Sequence, residues 1–269
     1  MPRIVGMELR TSAFAAFGIS DPMEKARLTL TLGASPSQYA VDNAKTFTAP
    51  CSPGRPDRPT LVTPQSVARR SPYTALGHAA LIHSIAHIEF NAINLALDAV
   101  WRFPGLPADF YLDWLSVAFE EAKHFTMLRN HLQSLGYDYG NFDAHNGLWE
   151  MCESTQFDVV ARMALVPRTL EARGLDATPI IQAKLRKVGS AAALEAVGLL
   201  DIILAEEVGH VAIGNRWYHW LCQRDGIDPQ HFYEIAAHKH GAPKPRPPFN
   251  LAARRLAGFT ESEISALPV

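Results

Sequence analysis

Between residues 72 and 222, apolar side chains recur every three or four positions, the spacing of helices that bury one face. Four long helices follow from it. The first runs from about residue 72 to 102, with an inward row of Ile82, Ile85, Ala86, Glu89, Ile93, Ala96, Leu97 and Val100, in which Glu89 is the one charge. Pro104-Gly105-Leu106-Pro107 then forces a turn. The second runs from about 108 to 135 and ends at Gly136, a C-terminal cap. Phe110, Trp114, Val117, Ala118, Phe125, Leu128 and Leu132 share a face with Glu121, while Asp113, Ser116, Glu120 and Lys123 form a solvated row. Residues 136–147 read as a long crossover. The third helix starts near Leu148, with an inward row of Phe157, Val160, Ala164 and Glu171 and a bend at Pro167. Gly174 to Pro179 is expected to interrupt it before a short run from Ile180 to Val188. The fourth follows Gly189-Ser190 and reaches about Leu221, with Ala196, Leu200, Ile203, Leu204, Val211 and Gly214 around Glu207.

The flanks are less regular. Asp21-Pro22 opens a helix to about Leu32. Residues 36–72, rich in Pro, Ser, Thr and Arg, read as an extended connection, with Leu61 and Val62 docking it on the body. Asp228-Pro229 begins a helix within 223–240, and Gly241 to Asn250 is an extended basic tail. A short helix is expected over 251–256, and Thr260-Glu261-Ser262-Glu263 caps a last turn. The fold class predicted is all-α: one domain over 1–269, a four-helix bundle at about 72–222 and arms at 1–71 and 223–269.

The polar positions inside the apolar stripes carry the chemistry. Glu120-Glu121-Ala122-Lys123-His124 recurs as Glu206-Glu207-Val208-Gly209-His210, two copies of Glu-Glu-x-x-His. Residues three apart share a helix face, so Glu121 pairs with His124 and Glu207 with His210. A turn centred near residue 105 sets Glu89 level with Glu121, and one near Gly189 sets Glu171 level with Glu207. Each half thus repeats a lone Glu, a turn and a Glu-x-x-His. A buried carboxylate without a partner costs several kcal/mol, and a metal is the simplest partner. The expected ligands are Glu89, Glu121, His124, Glu171, Glu207 and His210, with Glu153 the alternative to Glu171 on the third helix. Four carboxylates balance two divalent cations, which is why such a cluster can be buried. Carboxylate and imidazole donors suit iron or manganese, so the expected cofactors are two metal ions: iron, manganese or a mixed manganese/iron pair.

Composition narrows the setting. The chain has 269 residues, 48% of them apolar, and a formal charge of -2, which speaks against a broad nucleic-acid footprint. Cys51, Cys152 and Cys222 have neither disulfide-framework nor zinc spacing, and fit a reducing compartment; the expected location is the cytoplasm. Met1 to Val5 lacks the apolar core of a signal peptide, and no uncharged apolar run approaches about 18 residues, so no membrane partner is expected.

These motifs, with Pro53-Gly54-Arg55-Pro56, His87-Ile88-Glu89, Pro167-Arg168-Thr169-Leu170-Glu171-Ala172-Arg173-Gly174 and Gly241-Ala242-Pro243-Lys244, resemble the ferritin-like di-iron superfamily. Within it they are most similar to a family catalogued as domain of unknown function 455. The resemblance covers nearly the whole chain and implies a bundle with a di-metal centre. It implies no substrate. The leading expectation is a di-iron oxidoreductase using dioxygen or peroxide on an organic substrate, with a small-molecule substrate, an electron donor and a homodimer as partners. A modified tRNA is kept as an alternative partner, because the superfamily includes a tRNA-modifying hydroxylase. Two other readings stay open: a non-catalytic iron-handling protein, and a metal-free bundle that binds a partner through its Pro-rich tail.

Other polar groups have simpler readings. His83 and His87 are offset from the Glu89 row and are expected to hydrogen-bond, as neighbours of the ligands. His131 reads as structural, and His238 and His240 as solvated. Asp158 and Asp201 are either acceptors for the ligand histidines or surface residues. Trp101, Trp114, Trp149, Trp217 and Trp220 read as packing, and the tail from Lys244 to Arg255 as a clamp.

Overall fold

A computed structural model describes residues 7–48 and 52–268. The N-terminal Met1 to Val5, and Pro50-Cys51 in the proline-rich segment, lie outside the described residues. The described chain is all-α: helices joined by turns and extended segments, with two isolated bridges and no strand among the described residues. It divides into two compact units, one comprising the chain up to Arg70 with Ala79–Asn146, the other Ser71–His78 with Gly147 onward.

In the first unit, α1 (Leu9–Phe17) is an element the hydrophobic pattern did not reveal. Its N-cap is Glu8, whose carboxylate accepts from the N–H groups of Arg10 and Thr11 at 2.9 and 2.8 Å. Glu lies outside the usual Ser/Thr/Asp/Asn capping set, which hid the start. α2 (Pro22–Ala34) begins as expected, with Asp21 accepting from Glu24 N–H at 2.7 Å. α3 (Ala75–Arg102) and α4 (Ala108–Ser134) are the first two long helices. Arg10 holds the end of α3, its buried guanidinium donating to the carbonyls of Val100 and Trp101 at 3.3 and 2.7 Å. Those are orphan acceptors of a helix C-terminus. α2 packs along α4. α3 is long and apolar enough to cross a membrane by length and composition alone, and most of that stretch is buried in the protein. Residues 60–62 do dock, but through backbone: Ala144 N–H donates to Thr60 and Val62 N–H to Ala144, at 3.0 and 2.8 Å, while the Leu61 side chain is exposed.

The second unit holds α5 (Gly147–Ser154), α6 (Val159–Leu165), a π-helical turn (Val166–Glu171), α7 (Ala172–Val188), α8 (Ala191–Asp225), α9 (Pro229–Lys239), α10 (Leu251–Leu256) and α11 (Glu261–Ser265). The third helix breaks elsewhere than expected. It stops after Ser154 and restarts at Val159, where Asp158 caps α6 by accepting from Ala161 N–H at 2.9 Å. Phe157, in that gap, is 91% exposed rather than inward. Gly174 to Pro179 does not interrupt the helix; α7 runs through it, with Pro179 inside. Gly189, at φ 70°, adopts the left-handed conformation that turns α7 into α8, and Ser190 caps α8. The tail is a clamp as read: Arg254 Nη2 lies 2.5 Å from Asp176 Oδ2, and Asn250 N–H donates to Asp176 Oδ1 at 2.8 Å. The last turn carries the expected capping box of Thr260 and Glu263.

Candidate metal centre

The site in the first unit is built by one hairpin. The inward row of α3 is buried throughout, as is the face of α4 from Phe110 to Leu132. The turn between them sets Glu89 beside the Glu-x-x-His motif, the register expected from a turn near residue 105. His124 Nδ1 lies 3.3 Å from Glu89 Oε2 and 3.5 Å from Glu121 Oε2. One donor atom from each of the three residues lies within 4.8 Å of the others. Glu121 and His124 are fully buried and Glu89 nearly so. Trp114, Ala118, Phe125 and Leu128, on the same face of α4 as Glu121, are buried as well, so the face that carries the motif is dry.

The electrostatics of this triad follow from crowding. Burial first, and then the Glu121 carboxylate, push the Glu89 carboxyl well above the usual range, against the pull of His124. Burial pulls the His124 imidazole down, but hydrogen bonds and charge from Glu121 and Glu89 outweigh it and hold it well above its ordinary value. Two carboxylates and an imidazole in a dry site have more negative charge than their surroundings can solvate. A divalent cation relieves that crowding. The donor set also fits one by geometry: with bonds of about 2.1 Å, adjacent donors of an octahedral site stand about 3 Å apart, and the two His124–carboxylate separations of 3.3 and 3.5 Å lie just outside that. The triad can therefore hold a metal ion.

The second unit carries the other three expected ligands. On α8, His210 is buried and its Nδ1 lies 3.4 Å from Glu207 Oε1; the Glu207 side chain is 12% exposed. Glu171 is buried at the end of the π-helical turn, whereas Glu153 on α5 is exposed. Three contacts along the hairpin set its register. Gln182 donates to Asp201 at 2.7 Å, Arg168 to Asn215 at 3.2 Å, and Gly214 abuts Pro167. They bring residue 171 level with residues 210–212, about one turn beyond the expected Glu207. Because Glu207 and His210 share a face, Glu171 is still level with the motif.

The π-helical turn was not legible as such. Pro167 cannot donate a backbone hydrogen bond, and the Thr169 hydroxyl supplies a donor to Ala164 O at 2.9 Å, five residues back. Tyr233 OH meets the same hydroxyl at 3.1 Å. Single π-helical turns recur at functional sites, and this one ends at Glu171. The close approach of α8 needs Gly214, since a Cβ there would stand 2.4 Å from Pro167 Cβ.

The remaining candidates are accounted for without a metal. His83 and His87 pin the crossover after α4. Gly140 N–H donates to His83 Nε2 at 2.9 Å, and His87 meets Tyr139 OH at 2.9 Å and His145 O at 3.1 Å. Burial pushes both imidazoles down, His83 to about 4 and His87 to about 3, so both are neutral. Asp158 is a helix cap, and Asp201 is a surface residue bonded to Gln182. His131 is buried, His238 exposed and His240 half-buried. Trp101, Trp114, Trp149 and Trp217 are buried, and Trp220 is half-buried with its ring 5.4 Å from that of Trp217. Sequence reading missed the buried Lys25, whose amine donates to Gly54 O at 2.8 Å and to Asn94 Oδ1. Arg168, quoted in the motif, was not foreseen as buried; it is held among the rings of Tyr218, Tyr233 and Phe259. Nothing in their spacing distinguishes these cations from solvated ones.

Residues 18–265 match the model of a family described as "Protein of unknown function (DUF455)". A relative from Haemophilus influenzae, named "Uncharacterized protein", is 50% identical over 216 residues, covering 78% of this chain and 74% of its own. No solved structure matches the chain.

Proposed function

The chain belongs to the DUF455 family, and we propose that it is a di-metal carboxylate oxidoreductase, with iron as the resident metal. One observation carries this reading: the buried Glu89–Glu121–His124 triad, whose residue pattern the second unit repeats as Glu171, Glu207 and His210. The fold type proposed is the ferritin-like four-helix bundle. Glu89, Glu121 and His124 would hold one metal ion and Glu171, Glu207 and His210 the other, the donor set of such bundles.

Bound as a pair, ferrous ions would supply the electrons for reducing dioxygen or peroxide at an organic substrate, with an external donor restoring them. The residues supply the rest. His124 and His210 turn Nδ1 toward their own carboxylates, which orients each imidazole as a ligand. Glu89 and Glu121 bring the negative charge that a bound divalent ion would neutralise. The apolar side chains beside them exclude water, so that charge acts at full strength.

Two measurements on the full chain test the reading. Anaerobic loading with ferrous iron followed by metal analysis should find about two irons per chain, as the two ligand sets require. Exposure of the loaded protein to oxygen should then consume it in a fixed ratio to iron, with no mineral formed. Loading without oxygen consumption would overturn the oxidoreductase and leave a metal-handling protein. No loading would overturn both.

A further inference from the structure

The second unit contains a cavity of about 230 Å³ between the π-helical turn, α9 and the C-terminal tail. Its walls are apolar and aromatic, with Tyr233, Phe259, Pro243, Pro245 and Leu267 among them. Five ionisable groups also line it: Arg168, Arg173, Arg254, Glu234 and Glu263. Three of these are committed. Arg168 donates to Glu263, and also lies 3.2 Å from Asn215 Oδ1. Arg254 is paired with Asp176, at 2.5 Å. Arg173 and Glu234 are different: both are exposed, and neither makes an ion pair or hydrogen bond among the described residues, with each other or with anything else. The cavity thus offers one uncommitted cation and one uncommitted anion at the edge of a ring-lined hollow.

We propose that this cavity binds a small zwitterion bearing one aromatic ring, of the aromatic amino-acid type. The carboxylate meets Arg173, the ammonium meets Glu234, and the ring lies against Tyr233, Phe259 and the two prolines. The size agrees: drug-sized sites take roughly 300–1,000 Å³, and a hollow below that range holds one ring and a short chain. Aromatic and proline surfaces favour a flat apolar body. A ligand with both charges offers a partner to each of Arg173 and Glu234, whereas a mono-ion leaves one of them solvated. The site lies within one unit and does not depend on a metal. It does share Arg168 and Thr169 with the turn that ends at Glu171.

The test is titration calorimetry or ligand-observed NMR on the full chain, with L-phenylalanine, 3-phenylpropionate and 2-phenylethylamine as probes. L-phenylalanine should bind saturably, and each mono-ion about 1.4- to fivefold more weakly, the range of exposed ion pairs. Arg173→Gln should weaken L-phenylalanine and 3-phenylpropionate but not 2-phenylethylamine; Glu234→Gln should weaken L-phenylalanine and 2-phenylethylamine but not 3-phenylpropionate. Both positions are exposed, so the variants keep the fold. The proposal is overturned if L-phenylalanine shows no saturable binding, if a mono-ion binds as tightly as the zwitterion, or if neither variant changes the ranking.

Discussion

Gly214→Ala probes the joint between α8 and the π-helical turn. A Cβ at position 214 would stand 2.4 Å from Pro167 Cβ and 2.6 Å from its Cγ. The lower limit of ordinary contact is 3.4 Å, so the new methyl intrudes by about 1 Å. The opposing atoms belong to a proline ring inside a helical turn, which cannot swing away as the end of a lysine could. Overpacking of this kind destabilises by about 1–3 kcal/mol. Removing a mid-helix glycine returns about 1 kcal/mol, which leaves a net loss of about 0–2 kcal/mol. Gly198→Ala on the same helix is the control. Nothing lies within 4 Å of a Cβ there, and the position is exposed, so only the gain of about 0.5–1 kcal/mol remains. The propensity term cancels between the two variants, which isolates the clash as a difference of about 1–3 kcal/mol. Urea unfolding followed by circular dichroism measures it. Pro167 is four residues from Glu171, so the shift should also reduce iron loading in Gly214→Ala and not in Gly198→Ala. Equal midpoints for the two variants would refute the reasoning.

Three further outcomes follow from the site and its supports. Glu171→Gln should remove about one of two bound irons, while Glu153→Gln on the exposed face should leave both, read by metal analysis after anaerobic loading. His83→Ala removes the acceptor of Gly140 N–H, a buried bond of 2.9 Å; a loss of about 1–3 kcal/mol is expected, seen as faster hydrogen exchange at the Gly140 amide. Burial pushes Glu263 up, but the charge of Arg168 and the bonds from Thr260 outweigh it and leave the carboxyl below its usual range. A depressed carboxyl contributes stability that is present above its unfolded value, about 4.3, and is lost as pH falls through the folded one. Glu263→Gln should therefore flatten the fall in stability between about pH 5 and 3, and an unchanged slope would count against the Arg168–Glu263 pair.

Much of the fold was legible because its signals are local. Asp21-Pro22, Ser190, Asp228-Pro229 and Thr260…Glu263 each mark a helix start within four residues, and all four are caps in the structure. The Glu89–Glu121–His124 triad was legible because a short turn between two long helices leaves one register, and one charge in each apolar row then marks the meeting point. The family match likewise agrees with the motifs read from Pro53 to Lys244. What stayed hidden depends on distant partners. The π-helical turn rests on Tyr233 and Gly214, far along the chain. The break at Thr155 to Asp158 falls where Arg162 turns back to bond Thr155 Oγ1 at 2.9 Å and Cys152 O. Phe157 continued an apolar period that the backbone abandons, while Gly174 and Pro179, read as breakers, sit inside a helix whose Ala172 and Leu175 are packed in a core with Val211 and Ala257.

The most direct measurement is the iron content of the full chain beside that of Glu121→Gln, both loaded anaerobically with ferrous iron and freed of excess. The account predicts about two irons per chain in the native protein and a clear loss in the variant, since Glu121 is one of the proposed ligands. Fewer than about one iron in the native protein, or equal iron in both, would contradict it.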